Sequence, residues 1–156
     1  MANSGIIRRA SPHDLDEIVE LEKKCFQEDL SYSRRQLRYL LTKAHSTFLV
    51  EALDGVVRGF IIILYRRGTT VAGVETVDVN PNNHKQGMGL HLLEAAEEVM
   101  KNKGIKRVRL EVSTTNLAAI ALYKKAGFRT TSLIKNYYIY RHHGSRDAFR
   151  MIKELH

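Results

Sequence analysis

Residues 74–89, Val-Glu-Thr-Val-Asp-Val-Asn-Pro-Asn-Asn-His-Lys-Gln-Gly-Met-Gly, join a strand to a helix and decide the fold. The strand is predicted over residues 71–79 and ends in turn residues, and the helix is predicted over residues 89–103. Small residues at such a junction expose successive backbone N–H groups, together with a helix N-terminus, to an anion. The segment is neither a Rossmann fingerprint, whose third glycine would fall at Leu92, nor a P-loop, since no Gly-Lys-Ser/Thr follows. A turn that uses glycine only for backbone freedom is the alternative interpretation.

The segments on either side of this junction predict a mixed α/β sheet with helices on both faces. Asp54-Gly55 lies between two apolar runs, which is a strong hairpin signal. Residues 57–65 are apolar on both faces, so they are predicted to form a central strand that is covered on both sides. The predicted order is β-α-α-β-β-β-α-β-α-β-β in one domain over residues 1–156, with strands at 6–8, 47–53, 57–65, 71–79 and 105–112, helices after Ser11 and at 33–41, 89–103 and 116–126, and mostly strand beyond Gly127.

The composition is that of an ordinary globular domain, since 44% of the 156 residues are hydrophobic and 27% are charged. The longest apolar run, residues 60–65, is far shorter than the roughly 20 residues of a transmembrane helix. The first ten residues lack the apolar stretch of a signal peptide. Cys25 is the only cysteine, which excludes an intramolecular disulfide and a cysteine-based zinc site. The sequence therefore predicts a cytoplasmic domain with no membrane partner.

The basic residues are unevenly distributed along the chain. Residues 1–78 hold 11 Lys/Arg and 11 Asp/Glu, whereas residues 79–156 hold 14 and 6, so the net charge of +8 lies in the second half. This asymmetry suggests an anionic partner, which is a phosphorylated cofactor, a nucleic acid or an acidic protein. A solvated basic face is the alternative. We expect no direct nucleic-acid partner, because the basic residues are dispersed and form no run with interleaved aromatic residues.

The strand–helix junction resembles motif A of the GCN5-related N-acetyltransferases (the GNAT family), whose loop amides hold the pyrophosphate of acetyl-CoA. The likeness covers residues 74–81 and 84–89, with His84 in the place of the family's Arg or Gln. It implies the GNAT fold, a single mixed and mostly antiparallel sheet with helices on both faces, and acetyl-CoA as the co-substrate, with no metal. The cofactor-binding residues that it implies are Val77, Asp78, Val79, His84, Lys85, Gln86, Gly87, Met88, Gly89, Leu90, Asn116 and Tyr123.

A second set of residues is similar to the N-terminal protein acetyltransferases of the RimI type and to their archaeal and eukaryotic relatives. It includes residues 110–112, 116–123 and 126–128, which read Leu-Glu-Val, Asn-Leu-Ala-Ala-Ile-Ala-Leu-Tyr and Ala-Gly-Phe, and it continues at residues 25–26, 136–138 and 147–151. The resemblance implies that Glu111 accepts a proton, that Tyr123 donates one, and that protein N-termini are the substrate, with the ribosome as one setting for the reaction. A peptide slot is expected from Glu28, Tyr137 and Tyr138.

Each candidate also has a purely structural interpretation. Glu111 could pair with an arginine of its own strand, Arg107 or Arg109. Tyr123 could be an aromatic residue of the core, and Asn116 could be a helix N-cap. On a helix that follows the glycine loop, a histidine and a glutamate three residues apart share a face, but no third ligand is evident, so no metal site is expected.

The chemistry of amines favours an N-terminal substrate. An α-amino group with a pKa near 7.8 is roughly 14% neutral at pH 7, whereas a lysine with a pKa near 10.4 is about 0.04% neutral. A carboxylate that acts through water is therefore a more adequate base for N-termini than for lysines. Glu75 is a competing base, because other GNAT branches place a catalytic Glu on this strand. A lysine or small-amine acetyltransferase and a basic ribosome- or nucleic-acid-binding module on the same fold are the alternative functions.

Overall fold

The computed structural model describes residues 5–27 and 30–156, and these residues form one seven-stranded sheet with four α-helices. The strand order is β1-β2-β3-β4-β5-β7-β6, in which β4 and β5 are parallel and the other neighbours are antiparallel. The strands are β1 (Ile6–Arg9), β2 (Ser46–Leu53), β3 (Val56–Tyr65), β4 (Val71–Val79), β5 (Arg107–Ser113), β6 (Arg129–Ile134) and β7 (Ala148–Glu154), and the helices are α1 (Leu15–Cys25), α2 (Arg34–Thr42), α3 (Met88–Asn102) and α4 (Leu117–Lys125). The predicted class and order of elements are confirmed. None of the helices within the described ranges is long and apolar enough to cross a membrane.

Two apolar cores lie on opposite faces of the sheet. On one face α1 and α2 pack against β2 and β3, where Ile18 and Phe60 are fully buried. On the other face α3 and α4 pack against β3, β4 and β5, where Leu92 and Ile61 are fully buried. Successive side chains of β3 enter the two cores in turn, which explains why this strand is apolar on both faces. Each such buried side chain contributes about 1.5–3 kcal/mol to folding.

The parallel strands β4 and β5 diverge after a short common stretch. Their pairing joins only Val71–Gly73 to Arg107–Arg109. β4 continues for six residues and β5 for four beyond this point, and their facing edges form no ladder with each other in the described chain. The sheet therefore contains a wedge-shaped opening between its two halves.

A β-bulge lies on β4 at the beginning of this opening. Ile62 pairs with Thr76 and the next residue, Ile63, pairs with Val74, so Glu75 is the extra residue of the bulge. Bulges locally bend a strand and redirect a side chain. Here the bulge places a carboxylate at the edge of the opening.

Candidate active site

A cavity of ≈ 320 Å³ lies where β4 and β5 diverge. Its walls come from α1 and the loop after it, from β4, from β5 with the start of α4, and from the loop between β6 and β7. The competing base Glu75 lines this cavity. Glu28 lies outside the described residues. The predicted site residues that line the cavity are Val77, Glu111, Asn116, Tyr123, Tyr137 and Tyr138.

The glycine loop lies between the end of β4 and the start of α3. Lys85 and Gly87 have φ angles of 65° and 78°, in the left-handed region. The first hydrogen bond at the start of α3 joins the N–H of His91 to the carbonyl of Gly87 at 3.0 Å. The N–H groups of residues 88–90 therefore have no acceptor within the helix. Left-handed residues beside a helix N-terminus form an anion-binding nest, which is the geometry that a pyrophosphate needs.

The two glycines of this loop serve different purposes. Gly87 provides the left-handed backbone of the helix N-cap. Gly89 permits a close approach of α3 to α4, because a Cβ atom built on it would lie 3.0 Å from Cδ2 of Leu122. Of the other predicted loop residues, Met88 is buried, Leu90 is half-buried, and His84, Lys85 and Gln86 are exposed.

The open edge of β4 presents backbone groups of alternate residues. The N–H of Asn80 donates to the carbonyl of Arg58 at 2.8 Å, which identifies the hydrogen-bonded pairs of the β3–β4 ladder. By the alternation of an antiparallel ladder, the backbone of Asp78 bonds to β3, and the backbone groups of Val77 and Val79 point into the opening. The backbone groups of Asp78 are therefore engaged with β3 and do not face the opening, which differs from the expectation that they contact the cofactor.

The carbonyl of Val79 already has two partners. It accepts the thiol of Cys25 at 3.3 Å and lies 3.0 Å from Nε2 of His84. The pKa of the Cys25 thiol is raised to about 12, first by burial and then by the nearby carboxyl groups of Asp78 and Glu22. Cys25 is therefore an un-ionised thiol, consistent with the sequence interpretation of a small hydrophobic residue.

Glu111 lies near the end of β5 with its side chain at the wall of the cavity. Its Oε1 atom accepts hydrogen bonds from Nη2 and Nε of Arg150 at 3.0 and 3.2 Å. Nη1 of Arg109 lies 3.7 Å from the same oxygen. The structure thus shows both the pairing with Arg109 that the strand pattern suggested and a stronger pairing with β7 that sequence reasoning missed. Both arginines hold one oxygen, which fixes the carboxylate at the wall.

Glu75 faces the same cavity from β4. The hydroxyl of Tyr32, on the loop between α1 and α2, donates a hydrogen bond to Oε1 of Glu75. Burial, followed by this hydrogen bond, raises the pKa of Tyr32 above its ordinary value. Tyr32 carries no signal in the sequence, because its partner is 43 residues away on a bulge that forms only in the sheet.

Tyr123 lies on α4 with its ring buried against Phe128, and the two rings contact each other edge-to-face with their centroids 5.9 Å apart. The pKa of Tyr123 is raised, above all by burial. The phenol is therefore neutral at physiological pH and able to donate a hydrogen bond. Asn116 caps α4, since its Oδ1 accepts the N–H of Ala119 at 3.2 Å, and its side chain also lines the cavity.

The loop between β6 and β7 closes the cavity with aromatic rings. The rings of Tyr137 and Tyr138 contact each other edge-to-face with their centroids 5.0 Å apart. The ring of Tyr138 stacks on that of His142 with a centroid distance of 3.8 Å. The hydroxyl of Ser113 donates to the carbonyl of His142 at 2.6 Å, which fastens this loop to β5. Burial raises the pKa of Tyr138 to about 12, and burial followed by His143 lowers the pKa of His142. These side chains form an uncharged wall.

No three His, Cys, Asp or Glu side chains come together as a metal site in residues 5–27 and 30–156. The site instead combines an anion-binding loop, an open strand edge, two carboxylates and a buried phenol. Such a set can hold an elongated phosphorylated ligand along β4 and move protons at one end of it.

Comparisons with known proteins define the class. A model of the acetyltransferase (GNAT) family matches residues 15–128. The chain therefore belongs to the GNAT family of acetyltransferases, and the enzyme class implied by the resemblance is confirmed.

Three relatives show where in the family the similarities lie. An N-alpha-acetyltransferase of Sulfolobus acidocaldarius is 30% identical, with 96% of this chain and 92% of the relative covered. A ribosomal protein bS18-alanine N-acetyltransferase of Escherichia coli (strain K12) is 39% identical over 62 residues, which are 40% of this chain and 42% of the relative. The crystal structure of Ard1 from Thermoplasma volcanium is 28% identical and superposes with a TM-score of 0.87 over 99% of both chains.

Proposed function

We propose that this chain is an acetyl-CoA-dependent N-alpha-acetyltransferase that transfers the acetyl group directly to the N-terminal amine of proteins. One observation carries the proposal. The opened edge of β4 leads from an anion-binding loop to a cavity that contains two carboxylates and a neutral buried tyrosine. The names of the relatives support the choice of an α-amine as the acceptor.

The glycine loop and the edge of β4 bind the co-substrate. The unpaired N–H groups of residues 88–90, with those of Lys85 to Gly87, hold the pyrophosphate. The backbone groups of Val77 and the N–H of Val79 hydrogen-bond the amide-containing arm, as a strand would. The excess of basic residues in the second half of the chain favours the phosphorylated adenosine end.

Glu111 accepts the proton of the substrate amine, directly or through water. Its carboxylate is at the cavity wall, and Arg150 and Arg109 hold it in place. A neutral amine is the nucleophile, and the α-amine reaches that state far more readily than a lysine. Glu75, the second carboxylate of the cavity, is occupied by the hydroxyl of Tyr32.

Tyr123 stabilises the departing thiolate. It lies on α4, which begins beside the end of β5, and the phenol remains protonated at neutral pH. A proton or hydrogen bond delivered to the leaving sulfur lowers the barrier to its departure. Tyr137 and Tyr138 form a wall of the peptide slot, and Glu28 belongs to the same proposal.

The test is an acetylation assay with a peptide that has both a free N-terminus and one internal lysine. We expect mass spectrometry to place the acetyl group on the N-terminal amine alone. The controls are the same peptide with its N-terminus blocked, which should yield no product, and a lysine-to-arginine peptide, which should react normally. Acetylation of the lysine in the blocked peptide would instead support the lysine acetyltransferase alternative. A screen over the first two residues, which includes N-termini of ribosomal proteins, then identifies the preferred substrates.

A further inference from the structure

Two buried carboxyl groups, Glu22 on α1 and Asp78 on β4, lie together at the cavity, which Glu22 lines, and have no part in the proposed chemistry. Each residue is only 1% exposed. Oδ1 of Asp78 accepts the hydroxyl of Thr76 at 2.6 Å, and Oε2 of Glu22 accepts the N–H of Tyr32 at 2.8 Å. The other two oxygens, Oε1 of Glu22 and Oδ2 of Asp78, are buried and have no hydrogen-bond donor within the described ranges. Buried polar atoms without a partner are rare and require an explanation.

Among the residues that the structure describes, none that acts on Asp78 carries a positive charge. Cys25 on α1, Tyr32 on the α1–α2 loop and Tyr123 on α4 face the pair as uncharged acids whose pKa values are raised. Glu75, beyond Tyr32, adds a further negative charge. Lys24 is exposed on α1, and among the groups that shift the pKa of Cys25 it has the smallest effect.

Two ionised carboxylates in such a site would repel each other without compensation, because burial strengthens the repulsion and removes water. One proton between them removes the repulsion and satisfies both orphan oxygens. The pKa of Asp78 is raised well above its ordinary value, first by burial and then by its hydrogen bond with Glu22. This direction agrees with a carboxyl group that remains protonated at neutral pH.

We propose that Glu22 and Asp78 share one proton between Oε1 and Oδ2, and that this pair positions the peptide side of the active site. The shared proton fastens α1 to β4. The other oxygen of Glu22 then holds the backbone of Tyr32, whose hydroxyl holds Glu75. On the strand, Asp78 lies between Val77 and Val79, whose backbone groups face the opening. One proton thus connects the loop of the peptide side to the strand of the co-substrate side.

Amide substitutions distinguish a shared proton from two ordinary buried groups. In Glu22→Gln the new NH₂ group donates to Oδ2 of Asp78, and in Asp78→Asn it donates to Oε1 of Glu22, so either single variant preserves the bond. In the double variant the carbonyl oxygens remain engaged with Tyr32 and Thr76, so two NH₂ groups face each other and the bond is lost. The prediction is therefore strongly non-additive.

The activity assay uses the full chain and a reactive N-terminal peptide, and it rests on the proposed function. We expect each single variant to retain kcat/KM within about threefold of the original chain. We expect the double variant to lose at least about tenfold, mostly through the KM of the peptide. The matched control is Glu20→Gln combined with Asp78→Asn, which changes an exposed carboxylate of the same helix and should behave as Asp78→Asn alone. A Glu22→Gln, Asp78→Asn variant whose loss equals the product of the single losses would overturn the proposal.

Infrared spectroscopy tests the proton independently of any substrate and of the folding of the double variant. At pH 7 the chain labelled at its carboxyl groups should show the C=O stretch of one protonated carboxylic acid. This band should disappear in Glu22→Gln and in Asp78→Asn and persist in Glu20→Gln. Absence of the band in the original chain, or its persistence in both single variants, would refute the shared proton even if the acetyltransferase assignment holds. Conversely, if the chain is inactive on N-terminal peptides but shows the expected band, only the proposed function is refuted.

Discussion

Tyr123 is kept neutral by its burial, which raises the pKa of its phenol. Removal of its hydroxyl in Tyr123→Phe leaves the ring packed on Phe128 and removes only the proton donor. We expect kcat to fall by about 10²–10⁴, the usual range for an acid or base group, with the affinity for acetyl-CoA largely retained. Steady-state kinetics together with calorimetric titration of acetyl-CoA check this expectation. An unchanged kcat would exclude Tyr123 from the proton transfer.

Two carboxylates compete for the role of base, and single amide substitutions separate them. Glu111→Gln should lower kcat by about 10²–10⁴, whereas Glu75→Gln and Tyr32→Phe should act mainly on the KM of the peptide, because they loosen one wall of the cavity. The measurement is kcat and KM for each variant with one peptide. If Glu75→Gln loses turnover and Glu111→Gln does not, the base is Glu75.

The sequence contains enough information to nominate Glu111 and Tyr123, because their spacing is local and matches a family pattern. It contains no such information on Arg150 or Tyr32. The contact of Arg150 with Glu111 depends on the β5–β7 register, and that of Tyr32 with Glu75 depends on a bulge. Both are set by pairing between strands distant in sequence, which side-chain patterns do not encode.

At the scale of elements, the close contact between α3 and α4 couples the glycine loop to the helix of Tyr123. A methyl group at Gly89 would lie 3.0 Å from Cδ2 of Leu122, so in Gly89→Ala the Leu122 side chain on α4 or the glycine loop must shift by a few tenths of an ångström. We expect the KM of acetyl-CoA to increase several-fold and kcat to decrease. The double variant Gly89→Ala, Leu122→Ala should recover part of both, since it removes the colliding group. Kinetics of the original chain and of the two variants test this expectation, and no recovery in the double variant would mean that the loop backbone itself is disturbed.

The elements themselves were predictable, with ends that differ by a few residues. The Asp54-Gly55 hairpin and the Asn116 helix cap are local signals, and both are found in the structure. The divergence of β4 from β5 and the bulge at Glu75 were not predictable. Both are interruptions of the pairing between two strands, and the residues of a single strand do not show where its pairing stops. The residues of β4 and of the loop after it predicted a ligand with a pyrophosphate. The opening that would receive this ligand depends on how the strands pair in the sheet, which those residues do not encode.

For the whole molecule, two buried carboxyl groups give opposite dependences of stability on pH. Hydrogen bonds from Arg8 at 2.8 and 2.9 Å lower the pKa of Asp14, so its contribution is present above the unfolded pKa of about 3.9 and is lost as pH falls through the folded pKa. The raised pKa of Asp78 acts in the other direction, because the folded state retains a proton that the unfolded state releases, and stability decreases as pH rises above about 4.

Urea unfolding between pH 3 and pH 9 separates the two contributions. We expect Asp14→Asn to flatten the acid side of the stability profile and Asp78→Asn to flatten the neutral and alkaline side. Asp16→Asn is the control, since the side chain of Asp16 is 83% exposed and its bond to Arg34 should contribute little. A profile of Asp78→Asn parallel to that of the original chain would contradict the raised pKa.

The wedge between β4 and β5 determines the order of events in a catalytic cycle. In the proposed reaction, donor and acceptor enter this opening from its two ends. Cys25 is a poor carrier of the acyl group, because its thiol is bonded to the carbonyl of Val79 and resists ionisation. We therefore expect both molecules to be bound together before the acetyl group is transferred. Double-reciprocal plots of the initial rate against the concentration of one substrate, at several fixed concentrations of the other, should give intersecting lines. Parallel lines would indicate a covalent acyl-enzyme intermediate.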